Sequence, residues 1–270
     1  DSIQTEIVLD IAGQEKLLLT NKSTIKLNEE GTIHIEEEAI IVADKSTPQE
    51  EPQVTTNINT LRVPRGRHTV VELPDGSKVW VNSGTVLQFP AVFEKEHRTI
   101  HADGEIYIEV AKDTSRPFYV QTSQMNIRVL GTSFNVTAYN DEINQSVVLR
   151  EGLVEINTSN GLKQNIQPSQ RLVFEDDRIE ISKVNPYHYI SWIDGIFIFD
   201  QQPLEYIAQR LSRYYNKSFV CAPDVEQYKC TGKLVLFPDI NKVLQTLEET
   251  LPIACEIEGD TIKINANLKR

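Results

Sequence analysis

The chain has 270 residues, with 39 Asp and Glu against 27 Lys and Arg, for a formal charge of -12. That acidity, with no basic stripe to displace counterions, excludes a nucleic-acid partner. The sequence holds no run of about 18 or more apolar residues, which excludes a membrane-spanning helix within it.

Its start at Asp1, with neither an initiator Met nor a signal peptide, points to a chain trimmed at the amino end. The acidity is concentrated early. Residues 1–60 hold 4 Lys and Arg against 12 Asp and Glu, whereas 61–185 hold 14 against 16 and 186–270 hold 9 against 11.

Residues 1–44 read as a small β-meander. TEIVLDIA and EKLLLT are strand-like around a Gly13 turn, and STIKLN and TIHIEE flank Asn28-Glu29-Glu30-Gly31, a hairpin connection closed by glycine. EAIIVA makes a further apolar run. The triple Glu36, Glu37, Glu38 reads as a solvated strand edge, because charge keeps exposed edges from pairing wrongly. Residues 45–60, with Pro48 and Pro52 among polar neighbours, read as a linker.

Residues 61–185 carry short apolar runs separated by turn chemistry, the pattern of an all-β sandwich or barrel-like stack. Pro74-Asp75-Gly76 predicts a hairpin. Pro fixes one backbone angle, Asp bonds its own backbone, and Gly accepts the left-handed conformation. In RTIHADGEIYIEVA, Ile100, Ala102, Gly104, Ile106, Ile108 and Val110 share one parity and predict a core face; Thr99, His101, Asp103, Glu105, Tyr107 and Glu109 share the other and predict a wet one. Gly131, isolated in β sequence, predicts a bulge or tight bend. Strands follow at QSVVLR, GLVEIN, RLVFED and RIEIS.

Residues 186–270 change character. SWIDGIFIFDQQ is strand-like, and PLEYIAQRLSRYYN is an amphipathic helix with Pro203 in its first turn and Leu204, Ile207, Ala208, Leu211 and Tyr215 on one stripe. After the strands KSFVCA and CTGKLVLF, Asp239 caps a second helix carrying Ile240, Val243, Leu244, Leu247 and Leu251. ACEIEGDTIKINA closes as a hairpin at Gly259-Asp260. The order β-α-β-β-α-β-β predicts a small α+β domain with both helices on one face of a sheet. The fold class expected is thus mainly β, with this α+β unit at the carboxy end.

Chemistry-bearing residues are sparse. Cys221, Cys230 and Cys255 leave at least one thiol unpaired; a Cys221–Cys230 disulfide and three buried free thiols are both open. The five histidines show no metal spacing, and His97 and His101 lie in strand-like sequence where an interval of four has no helical meaning. Neither a metal nor a cofactor is expected. Glu105 and Glu109 flank Tyr107, the one aromatic on the wet parity. A glycosidase needs two carboxylates across a cleft, and strand-face Glu pairs are far more often solvated. Trp80 and Trp192 read as packing residues with a bonded ring N–H.

On the first helix of the last segment, Tyr206, Arg210, Arg213 and Tyr214 are residue types favoured at interface centres. The competing reading places Tyr214 in the core and leaves the arginines to solvate the helix. Strands 232–237 and 261–266 are candidates to lend an unpaired edge to a partner.

VPRG (63–66), LPDGS (73–77), VWVNSGTVLQFP (79–90), GEIYIEV (104–110), RPFYV (116–120), VLGTSFNV (129–136), EGLVEI (151–156) and WIDGIFIF (192–199) occur in this order. Each is a weak β-turn pattern alone; in series they resemble the FecR family of anti-sigma regulators. Residues 1–44 resemble the amino-terminal extension of Bacteroidetes-type members, and 186–270 resemble the short signalling fold, STN-like, of TonB-dependent receptors and secretins. The resemblance implies a β-sandwich or β-helix-like domain with Asp75, Gly76, Gly104, Gly131 and Gly152 as fold-determining turn residues.

It further implies a non-enzymatic periplasmic sensor of a single-pass inner-membrane protein. The signalling domain of a TonB-dependent outer-membrane transducer would touch it. An extracytoplasmic-function (ECF) sigma factor would answer through a cytoplasmic domain outside this sequence, with a periplasmic protease as a further partner. Two other classes fit the composition: a carbohydrate-binding β module, and a fragment of a transducer or secretin.

Overall fold

A computed structural model describes residues 6–12, 15–20, 23–36 and 58–267. The expected Gly13 turn, Glu37, Glu38, the EAIIVA run and most of the 45–60 linker lie outside the described residues. The chain divides into two compact units, Asp1–Pro186 and Tyr187–Arg270.

Among the described residues, the first unit contains seventeen strands. They are β1 (Ile7–Ile11), β2 (Glu15–Leu19), β3 (Thr24–Leu27), β4 (Ile33–Glu36), β5 (Ile58–Val63), β6 (Thr69–Glu72), β7 (Lys78–Val81), β8 (Thr85–Pro90) and β9 (Arg98–Glu109). After these come β10 (Phe118–Gln121), β11 (Met125–Val129), β12 (Ser133–Ala138), β13 (Gln145–Glu151), β14 (Val154–Thr158), β15 (Lys163–Ile166), β16 (Gln170–Glu175) and β17 (Arg178–Lys183).

Their pairing resolves into two sheets that share one strand. One runs β2-β1-β5-β8-β9-β10-β11-β14-β15. The other runs β4-β3-β6-β7-β9-β12-β13-β16-β17. Most pairs are antiparallel, but β9–β10 and β3–β6 are parallel. The amino-terminal strands join both sheets, β1 beside β5 and β3 beside β6.

Strand β9 makes the corner. Residues 98–103 pair with β8 and β10 in the first sheet, and 104–109 pair with β7 and β12 in the second. A strand can change sheets only by bending, and Gly104, at φ +134, lies at the bend. A Cβ there would stand 2.3 Å from Thr85 Oγ1. The inner faces interdigitate into one core, with Leu61, Leu87, Phe89, Ile100, Phe118 and Ile127 from one sheet and Ile25, Val71, Val79, Ile108, Phe134 and Leu149 from the other.

The corner corrects one expectation. In the first half of β9 the parity rule holds, with His101 exposed and Ile100 and Ala102 buried. Just past Gly104 both faces are buried: Glu105 and Tyr107, expected in water, are each 2% exposed, while Glu109 is exposed as expected. The Glu105 carboxylate is held by neutral donors, Asn82 Nδ2 at 2.7 Å and Asn135 Nδ2 at 3.1 Å.

Arg98, at the start of β9, is fully buried and pairs with Asp75, only 4% exposed, at 2.6 Å. Its guanidinium also donates to the carbonyls of Ala111 and Arg116 and lies 5.3 Å from the Phe118 ring centre. Asp75 sits in the expected turn, where Gly76 takes φ +80 and the Asp75 carboxylate accepts from the Ser77 N–H and hydroxyl. One carboxylate thus closes the β6–β7 hairpin and neutralises a buried cation from β9.

The second unit opens with a short helix α1 (Tyr187–Ile190) and a 3-10 turn over Ser191–Asp194, so the expected strand begins only after Gly195. There follow β18 (Ile196–Pro203), α2 (Leu204–Tyr215), β19 (Ser218–Cys221), β20 (Lys229–Val235), α3 (Ile240–Thr250), β21 (Ile253–Glu258) and β22 (Thr261–Ala266). The element order is the expected one. The single sheet is not: β18–β20 and β19-β22-β21 are separate. Asp239 caps α3, its carboxylate accepting from the Asn241 N–H at 3.0 Å. Leu204, Ile207, Ala208 and Leu211 of α2 and Val243, Leu244 and Leu247 of α3 are the buried stripes.

Removing one member of the buried pair leaves an uncompensated charge, so Arg98→Ala and Asp75→Ala are each expected to destabilise the first unit by roughly 3–5 kcal/mol in urea unfolding. Gly104→Ala is expected to cost at least about 2 kcal/mol through overpacking against Thr85. A stable Gly104→Ala protein with unchanged midpoint would remove the corner from this account.

Candidate interaction surface

Two of the residues singled out on α2, Arg210 and Tyr214, meet over one ring, and a third, Tyr206, joins them through Arg210. Phe197 of β18 is buried, and the Arg210 guanidinium stands 5.0 Å from its centre. Arg210 also lies 5.8 Å from the Tyr206 ring and donates to the Tyr206 hydroxyl at 3.2 Å. Tyr214 meets Phe197 edge-on at 5.7 Å and Tyr215 at 5.0 Å. Burial raises the Tyr214 hydroxyl's pKa above its ordinary value. Tyr206, Arg210 and Tyr214 are all half-buried; Tyr214 packs between two rings, and Tyr206 and Arg210 pair with each other over Phe197 as a half-exposed cap. Arg213 is half-buried on the same helix.

A planar cation laid on aromatic faces gains attraction from the ring quadrupoles and loses little side-chain freedom when a partner arrives. The sequence marked the helix residues by type. Phe197 went unnoticed, because a strand residue seven positions before a helix gives no sign of lying beneath it.

The two candidate edges separate. Strand β22 is the centre of its sheet, flanked by β19 and β21, so 261–266 has no free edge; that expectation is corrected. Strand β20 pairs, among the described residues of the unit, only with β18. Beyond it, Phe237 is 37% exposed, its carbonyl accepts from the Tyr215 hydroxyl at 2.7 Å, and Lys242 Nζ lies 5.8 Å from its ring. The carboxy end of α2 is thereby tied to the segment leaving β20.

Tyr107 does not offer a sugar-stacking ring. It is buried against Trp80 at 5.3 Å, donates to Glu109 Oε1 at 2.9 Å and accepts from Arg150 Nη1 at 2.7 Å. Glu105 and Glu109 are likewise committed to protein donors. Of the turn residues, Gly131 lets the backbone pass close to Lys112, whose Cα would lie 2.8 Å from an added Cβ, and Gly152 at φ +96 does the same beside Thr132 Oγ1 at 2.7 Å. These glycines serve backbone approach. Arg98 is the residue that sequence reasoning missed; a lone Arg opening a strand carries no mark of burial.

All three cysteines are free, and the Cys221–Cys230 disulfide is not formed. Cys221 of β19 and Cys255 of β21 both stand opposite Ile264 of β22. Two strand spacings of about 4.8 Å separate them, beyond the roughly 7 Å Cα limit for a disulfide. Burial, then Glu205 and Glu226, pushes the Cys221 thiol up to about 11, and burial with Glu248 pushes Cys255 up to about 12. No group of three or more metal-ligating side chains is gathered among the described residues.

Residues 59–155 match the FecR protein family and residues 196–264 match the FecR C-terminal family. Two crystal structures of a candidate anti-sigma factor from Parabacteroides distasonis ATCC 8503 superpose on the chain. One is 28% identical, with TM-score 0.70, 76% of this chain and 97% of that chain covered. The other is 27% identical, with TM-score 0.71, 77% of this chain and 99% of that chain covered. A search of the curated proteins returned no match. The class defined by fold and comparisons is that of anti-sigma regulators rather than an enzyme class. The chain belongs to the FecR family. Among the described residues, no helix is long and apolar enough to cross a membrane.

Only the thiolate reacts, so raised thiol pKa values predict slow alkylation of Cys221 and Cys255 at pH 8 in the folded protein, at least about tenfold slower than in urea. Because the folded state favours the protonated thiol, this stabilisation is complete below the ordinary thiol pKa of about 8.5 and is lost as pH rises towards 11. Equal labelling rates in folded and unfolded protein would contradict the burial of these groups.

Proposed function

We propose that this chain is the periplasmic sensor part of a single-pass inner-membrane anti-sigma regulator. In this reading the signalling domain of a TonB-dependent outer-membrane transducer docks on the carboxy-terminal unit. An ECF sigma factor is then released or activated through a cytoplasmic domain outside this sequence, with a periplasmic protease acting between the two events.

The observation that carries the docking assignment is the half-exposed Tyr206–Arg210 cap on Phe197, on the strand that pairs with β20. Interfaces draw most of their energy from a few Tyr, Trp and Arg residues in well-packed surroundings, and this cap supplies two of them already ordered. A partner segment could also extend the β18–β20 sheet by pairing with β20, whose side chains there are Lys229, Thr231, Lys233 and Val235. Such a surface needs no nucleophile. It needs differential affinity for the ligand-loaded and empty forms of the transducer, because an equilibrium shifts only by that difference.

Isothermal titration of the whole chain with the purified signalling domain tests the assignment. Tyr206→Ala and Arg210→Ala are expected to weaken binding about tenfold or more each while leaving the unfolding midpoint within about 1 kcal/mol. Tyr214→Ala, by contrast, should lower the midpoint first. Unchanged affinity in the first two variants removes this face from the interface.

A further inference from the structure

Three connections between the two sheets run side by side at one corner of the first unit. The β9–β10 connection lies against the β11–β12 crossing, where the Asp113 N–H donates to the Leu130 carbonyl at 2.9 Å and the Val110 N–H to the Thr132 carbonyl at 3.0 Å. The β13–β14 crossing lies beside them, its Leu153 carbonyl accepting from Thr132 Oγ1 at 3.1 Å. Gly131 and Gly152 permit this closeness.

The leucines next to those glycines have no such role. Leu130 is 36% and Leu153 58% exposed, whereas Val129 and Val154 beside them are buried. An exposed leucine standing alone needs no account. These two wall the same cavity, of about 160 Å³.

Charge completes the lining. Lys112, Arg128 and Glu155 all border the cavity, two cations against one carboxylate, in a chain whose net charge is -12. The cations are weakly engaged. Among the described residues the Arg128 guanidinium makes no hydrogen bond, and its ion pair with Glu155 Oε2, at 3.9 Å, is beyond hydrogen-bond reach. Exposed Lys112 makes no ion pair among the described residues. The Glu155 carboxylate is held in part elsewhere, accepting from Asn157 Nδ2 at 3.4 Å.

We propose that this cavity binds a carboxylate carried on a short aliphatic body. A guanidinium presents a planar fork that matches a carboxylate, and an entering carboxylate supplies the hydrogen bonds that Glu155 does not. The leucines receive the body. One surplus positive charge matches a single carboxylate better than a phosphate monoester, which carries about two negative charges. At roughly 30 Å³ per water-sized group the space takes about five such groups, the size of a branched-chain acid or of the last side chain of a peptide. The site lies within the first unit and is independent of the docking assignment on the second.

Nuclear magnetic resonance titration of the whole chain with isovalerate, N-acetyl-leucine and the tetrapeptide Ala-Ala-Ala-Leu, each beside its carboxamide, tests the proposal. The acids are expected to shift the backbone amide signals of Leu130, Gly131 and Leu153, and the carboxamides to bind at least about tenfold more weakly. Tighter binding of the tetrapeptide than of isovalerate identifies a chain terminus as the source of the carboxylate, and equal or weaker binding identifies a free acid; either supports the site. Lys112→Gln and Arg128→Gln are each expected to weaken isovalerate binding about fivefold. Glu155→Gln, which removes the competing carboxylate, is expected to strengthen it about threefold. Lys112 and Leu153 are exposed, so Lys112→Gln and Leu153→Ser give readings that leave the unfolding midpoint in place, and Leu153→Ser is expected to weaken binding. Absence of binding by all three acids, equal binding of acids and carboxamides, shifts confined to other parts of the chain, unchanged affinity in both cation variants, or weaker binding by Glu155→Gln would each overturn the proposal.

Discussion

The architecture of the first unit depends on a single strand belonging to two sheets. Strand β9 can do so only because its backbone turns at Gly104 while Thr85 fills the space a side chain would need. The bend is held on both sides. Before it, Arg98 is sunk among carbonyls and paired with Asp75; after it, Glu105 takes donors from Asn82 and Asn135. Buried charges are poor sources of stability when compared with apolar residues of the same size, because desolvation consumes most of the attraction. Their value here lies in register. A slipped strand would leave the guanidinium or the carboxylate without its partners, a penalty far larger than that of misplacing one Val for another.

The same arrangement explains why the two outer faces differ. Beyond Gly104 the outward side chains Glu105 and Tyr107 are buried and interlocked, with Tyr107 against Trp80 and bonded to exposed Glu109 and to Arg150. Before it they are hydrophilic and accessible, with His101 in line with Gln88 and Gln121. One strand thereby contributes a structural polar network to one sheet and a solvent-facing row to the other. Alternation alone would have made both halves alike.

Local signals in the sequence were sufficient for local structure. The Pro74-Asp75-Gly76 hairpin, the Asp239 cap and the two amphipathic helices follow from residues within a few positions of one another, and each is found where those residues place it. What was hidden depends on partners far along the chain. Periodicity says which residues share a face and says nothing of which strand lies alongside, so the central position of β22 and the parallel β3–β6 and β9–β10 pairs were all invisible. Tyr107 was misplaced for the same reason, since its neighbours Trp80 and Arg150 are 27 and 43 residues distant. Of the candidate surface, the helix residues were legible by type, but not the Phe197 ring that orders them.

The two units also differ in how much backbone they leave unpaired, and this bears on which of them suits a transient partner. Among the described residues, seventeen strands in two shared sheets leave four edge strands, β2, β15, β4 and β17, and the last of these is lined with charge, Arg178, Glu180 and Lys183. Among the described residues, the carboxy-terminal unit has five strands in two small sheets, so β18, β19, β20 and β21 each have one unpaired side within it. A small fold with a high proportion of edge buries less apolar surface per residue and opens at lower cost than a large sandwich. Elements that respond to binding are drawn from such regions, because a partner's modest differential affinity can move only an equilibrium that is already close. The sandwich, held by a buried ion pair and one continuous core, is the part whose geometry a partner is least able to change.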